Sequence, residues 1–112
     1  MPIKGVPTDA ACPFADLIVA GEHTVASRGL ARQQVADLTL FAFAAGESVS
    51  EERYPADTVY VCLEGRGEIT IEGVQHVLLP GQSVIMSAGA AHAVRALEPF
   101  KMLLTVVLPA QA

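Results

Sequence analysis

Short apolar runs, broken at close intervals by glycine and proline, constrain this chain more than any other feature of its sequence. Gly65 and Gly67 flank Arg66 between the run from Val59 to Glu64 and the run from Glu68 to Ile71. Pro80 and Gly81 separate Val77–Leu79 from another run that starts at Ser83. Proline presets one turn angle and glycine supplies positive φ, so both breaks read as chain reversals between strands. No window of a dozen residues holds a clean helical period, apart from a weak one around Leu30 to Leu38. Strands are therefore expected near 24–31, 35–44, 58–63, 67–72, 75–79, 83–86, 91–97 and 100–108. Strands this short and this regularly spaced imply an all-β antiparallel sandwich or barrel. Residues 1–21 mix Pro, Gly, Asp and Ala with one apolar patch at Phe14–Val19, and read as a short irregular leader with one turn of helix. The barrel domain is expected over residues 22–112.

At 112 residues the chain forms one domain, and with 52% hydrophobic against 17% charged residues it has the means to bury a core. A net charge of −5, with 7 Lys plus Arg and no basic run, leaves no footprint for nucleic acid. Cys12 and Cys62 lie far apart without a C-x-x-C spacing, so no zinc knuckle or redox pair is expected. Free thiols fit a reducing, cytoplasmic setting. Near the start, Lys4, Asp9, Pro13 and Asp16 interrupt any secretory signal. The apolar run from Phe100 falls far below the ~20 residues that span a bilayer, so no membrane partner is expected. The runs from Leu38 and from Met102 are apolar on both faces, where a half-exposed strand would alternate. Something must cover their outer side. A second copy is the most economical cover, which predicts a homodimer, and the alternative is the leader folded over the same face.

Two stretches carry a spaced pattern. The first runs Gly46, Glu52, Tyr54, Thr58, Gly65, and the second Gly81, Ser87, Gly89, His92, Ala96. They resemble the two motifs of the RmlC-like, conserved-barrel (cupin 2) proteins, G-x5-H-x-H-x3-E-x6-G and G-x5-P-x-G-x2-H-x3-N. The glycines match in register, and the resemblance covers roughly residues 38–108. It implies a cupin jelly roll. In that family the two His and the Glu of the first motif and the His of the second bind a metal. Here Glu52, Tyr54 and Thr58 stand at the first three positions and only His92 keeps the family residue. The resemblance therefore implies a retained barrel with degenerate metal motifs.

Alternate residues on a strand point the same way, so Glu52 and Tyr54 are expected to share a face and His92 to point inward. One carboxylate, one phenol and one imidazole are a poor set for iron or manganese, and no tightly bound metal is expected. If one binds weakly, as Fe, Mn, Zn or Ni, Glu52 and His92 would hold it with water. An unperturbed imidazole can donate or accept a proton at working pH, which makes His92 the candidate acid or base, with Tyr54 as acid or hydrogen-bond donor. Each also has a plain reading. His92 beside Ala91, Ala93 and Val94 suits a hydrogen-bonded core residue, Tyr54 an amphipathic plug, and Glu52 a solvated charged loop. A strand cysteine such as Cys62 is more often a small buried hydrophobe, and nothing basic adjacent in sequence argues for a reactive thiolate. His23, on the first strand, and His76 are expected to be exposed and without function.

Three functions fit these residues. The first is a metal-free barrel that binds a small organic ligand, lined by Phe41 or Phe43, Tyr60, Cys62 and Met86 and oriented by Glu52, Tyr54 and His92. The second is an enzyme. By analogy with the family it is either a metal-dependent dioxygenase or isomerase using Glu52 and His92, or a metal-free isomerase or epimerase with His92 as base and Tyr54 as acid. A nucleotide-sugar substrate would need Arg53, Arg66, Arg95 or Lys101 at its phosphates. The third is a protein whose only activity is self-association.

Overall fold

A computed structural model describes residues 2–109. Nine strands follow a single 3-10 turn at Phe14–Leu17: β1 (Val25–Arg32), β2 (Ala36–Phe43), β3 (Ser48–Arg53), β4 (Asp57–Glu64), β5 (Gly67–Ile71), β6 (Val74–Leu78), β7 (Ser83–Met86), β8 (Ala91–Ala96) and β9 (Phe100–Val107). They form a five-stranded sheet in the order β1-β2-β9-β4-β7 and a four-stranded sheet in the order β3-β8-β5-β6. Every pairing is antiparallel. The fold is an all-β jelly roll.

The segment with a weak helical period, Leu30 to Leu38, is the end of β1, a turn and the start of β2. Strand β3 has no counterpart among the sequence-derived strands. Its charged sequence looks like a solvated loop, yet it pairs with β8 along one edge of the smaller sheet. His23 precedes β1 in a turn with φ of 57°, rather than lying on the first strand. His76 lies half-buried on β6.

The core sits between the sheets. From the larger sheet, Phe43, Tyr60, Cys62, Phe100, Met102 and Leu104 point inward. They meet Ile69, Leu78, Val94 and Ala96 of the smaller one. Phe43 pairs with Phe100 across β2 and β9, and their rings lie 5.7 Å apart. A second apolar cluster lies on the outer face, where Leu30, Leu40 and Ala42 pack with Ile18 and draw in Val6, Phe14, Leu17, Leu63 and Leu103. The cover over Leu40 and Leu103 is thus the chain's own N-terminal segment, the alternative that the sequence offered beside a second copy. Polar ties hold it there. Arg28 donates to the carbonyls of Leu17 (2.6 Å) and Gly5 (2.8 Å), and Lys101 Nζ donates to that of Ala15 (2.6 Å).

The reversal between β4 and β5 depends on Gly65. Its φ of 77° suits glycine, and a Cβ there would lie 1.7 Å from the Pro99 carbonyl oxygen. That carbonyl begins the approach to β9, so the turn and the central strand lock together. Gly65→Ala is expected to cost about 2 kcal/mol or more, from overpacking added to the strained backbone angle. Gly46→Ala, at φ of 81° with no heavy atom within 4 Å of the new Cβ, pays only the backbone cost of about 1 kcal/mol. Urea midpoints of the two variants measure the difference, and equal midpoints would contradict the close approach.

Candidate functional site

Five strands and one loop assemble the site. On β8, His92 points inward beside Val94 and is 3% exposed. Across the neighbouring ladder Glu52 of β3 pairs directly with His92, so the two share a face. Between Val49, opposite Val94, and Glu52 the register slips by one residue. Such a bulge lets two residues an odd number apart face the same way. Both Val49 and Glu52 consequently line the interior.

Tyr54 follows β3, and Pro55 disfavours helical backbone at that position. Its loop is stitched to the one before β8. Gly89 N–H donates to the Tyr54 carbonyl (2.7 Å), Arg53 Nη1 to the Gly89 carbonyl (2.8 Å), and Ala88 N–H to Asp57 Oδ1 (2.9 Å). These ties bring the Tyr54 and His92 rings to 4.6 Å between centroids, at 55°. Tyr60 reaches in from β4 on the opposite sheet, 6.0 Å from His92. His92 Nδ1 makes a long contact, 3.4 Å, with the Ala90 carbonyl.

Phe41, Phe43, Tyr54, Tyr60, His92 and Glu52 surround a cavity of about 110 Å³. Both phenylalanines line it, where the sequence left a choice between them. Cys62 and Met86 lie elsewhere: both are buried in the core, Met86 opposite Thr58, and neither is part of the cavity wall. Burial pushes the Cys62 thiol up, and its Sγ donates weakly to the carbonyls of Glu64 and Gly65, each at 3.7 Å. Val49, Ser50, Ala93, Val94, Met102 and Leu104 are wall positions that sequence reasoning missed. Met102 and Leu104 alternate on β9 as inward residues should, but that strand is apolar on both faces and hides its own parity.

Burial, then the Glu52 charge and a hydrogen bond to its carboxylate, push the Tyr54 phenol up to about 12. Burial, with smaller contributions from Tyr54 and Glu52, pushes Tyr60 higher still. Neither phenol ionises at neutral pH, so neither serves as an anionic ligand. Thr58 is fully buried and its hydroxyl leans toward the Ala56 carbonyl at 3.4 Å. Of the four positions, only Glu52 and His92 offer metal donors. Among the described residues no group of three or more His, Cys, Asp and Glu could hold an ion. The residues present do not fit a resident metal centre.

A cupin domain model matches residues 39–107. The chain belongs to the cupin family. A cupin superfamily protein from Desulfitobacterium hafniense is 37% identical, with 96% of this chain and 98% of that one covered and a TM-score of 0.91. A conserved protein of unknown function from Streptococcus pyogenes is 29% identical over 99% of this chain and 97% of that one, with a TM-score of 0.93. A cupin 2 conserved barrel protein from Leptotrichia buccalis shares the fold at 23% identity and a TM-score of 0.88, and this chain spans 51% of it. No curated protein matches the chain.

This cupin has two tyrosines and no tryptophan, so phenolate absorbance reports on the cavity alone. In the native protein Tyr54 is expected to ionise near pH 12 and Tyr60 above it, against about 10 for both in urea. Because the folded values are raised, the stability linked to these phenols is complete below pH ~10 and is lost as pH rises through the folded values. Glu52→Gln should lower the Tyr54 value only in part, since burial is the larger cause. Native phenolate appearing near pH 10 would contradict the buried arrangement.

Proposed function

We propose that this cupin binds a compact organic molecule between its two sheets without a resident metal, oriented by Tyr54, Tyr60, His92 and Glu52. The convergence of two phenols, an imidazole and a carboxylate on an apolar-walled cavity carries this reading. Its volume limits the ligand, because an apolar cavity of ~150 Å³ accommodates benzene. The buried part of the ligand is therefore no larger than about a small ring. Phosphate-bearing ligands are disfavoured. Arg53 pairs with Glu72 (3.6 Å), Arg66 with Glu98 (3.8 Å) and Lys101 with Glu64 (3.6 Å), Arg95 is exposed, and none of the four lines the cavity.

The test pairs a metal measurement with a binding measurement. Protein purified without chelator is expected to carry less than about one transition-metal ion per five chains. A panel of small organic molecules should contain one that raises the melting temperature of the wild type, with affinity lost about tenfold or more in His92→Ala. Stoichiometric metal would end the metal-free reading. Binding unchanged in a folded His92→Ala protein would return His92 to a structural role.

The leader leaves part of the outer face bare, and this supports a homodimer. Val59 and Thr105 pair there on β4 and β9, flanked by Ile85 (70% exposed) and Val107 (50% exposed). An apolar strip of this kind on a sheet face suits a symmetric pair. The barrel domain over residues 22–112 would pair through it while the leader, residues 1–21, stays on its own protomer. Among the described residues no helix is long and apolar enough to cross a membrane, and both cysteines are free, in keeping with a cytoplasmic protein. Sedimentation should give a dimer for the wild type and a monomer for Ile85→Asp with an unchanged circular dichroism spectrum. A monomeric wild type would refute the pairing.

A further inference from the structure

The cavity wall is unusual for its rings and its charge. The chain has four phenylalanines and two tyrosines. Two of the former and both of the latter line this one cavity, together with His92. The Phe41 and Phe43 rings lie 6.3 Å apart, and the Tyr54 and Tyr60 rings lie 4.6 and 6.0 Å from that of His92. Aromatic faces carry partial negative charge and attract cations within about 6 Å. Glu52 is the one carboxylate in the wall, and no lysine or arginine lines it.

We propose that the bound molecule is a small organic cation, a methylated or otherwise substituted ammonium group, caged by Phe41, Phe43, Tyr54, Tyr60 and His92 with Glu52 as its counter-charge. This deepens the ligand-binding reading above and rests on it. An anion entering the cavity would meet Glu52 with no basic partner. A neutral ligand would leave that charge without a counter-ion. A cation neutralises it while its alkyl groups pack against the rings. Size agrees, because about 110 Å³ takes a trimethylammonium head and leaves any tail to the solvent side, where Glu52 is exposed. The overall charge of −5 draws cations toward the protein.

The discriminating experiment is isothermal titration of the full chain with four probes. These are tetramethylammonium, choline, the neutral choline isostere 3,3-dimethyl-1-butanol, and benzoate. Choline is expected to bind roughly tenfold more tightly than its isostere, with tetramethylammonium binding and benzoate not. In Glu52→Gln, a change on an exposed residue, the choline preference should fall to within about threefold. An isostere that matches choline, or benzoate that outcompetes it, overturns the cation while leaving a small-ligand cupin intact. An undiminished preference in Glu52→Gln overturns the assignment of the cation to this cavity. Absence of binding by all four probes, and by the wider panel, would remove both readings together.

Discussion

The pairing of β3 with β8 carries the site, because it alone places Glu52 opposite His92. The one-residue slip between Val49 and Glu52 lets both side chains face inward. Without that bulge, strict alternation would turn one of them to solvent. The same edge hands the chain on to Tyr54, whose carbonyl is held by Gly89 and whose ring rests against the imidazole. Carboxylate, phenol and imidazole are thus adjacent through backbone geometry. The Tyr54 phenol and the Glu52 carboxylate are close enough to hydrogen-bond, and the imidazole lies beside them.

Two apolar layers share the larger sheet, and they explain why its strands read apolar throughout. Phe41, Phe43, Met102 and Leu104 face the barrel, while Leu40 and Leu103 face outward. The N-terminal segment covers part of the outer layer through Phe14, Leu17 and Ile18. It is anchored by polar side chains of the sheet, Arg28 and Lys101, that reach its carbonyls. Lys101 is thereby committed to a structural task, with Glu64 as its ion partner. The basic residues hold the shell together and leave the cavity acidic.

The cupin frame has been kept while its coordinating corners have not. Glycines at 46, 65, 81 and 89 hold positive φ at the turns that bound the motifs. They conserve the geometry that would aim ligands inward, but the aimed residues now include a phenol that stays protonated and a threonine sealed in the core. Where the family pattern places metal donors, this cavity places rings, hydroxyls and one charge.

The strand pattern, the all-β class and the inward aim of His92 were legible in the sequence, because they follow from local rules. Glycine and proline set the reversals, and alternation sets the faces. The spaced motif positions likewise indicated that Glu52 and Tyr54 would come near His92. Strand β3 was not legible, since Ser48–Arg53 gains its strand identity from a ladder with a segment some forty residues away. Nor was the place of Cys62 and Met86 in the core rather than the cavity wall, because parity says which face a side chain takes but not how deep along the barrel it lies. The leader's cover and the acidic cavity likewise arise only when distant segments meet. Periodicity travels along the chain, whereas depth, neighbours and charge environment are properties of the packed sheets.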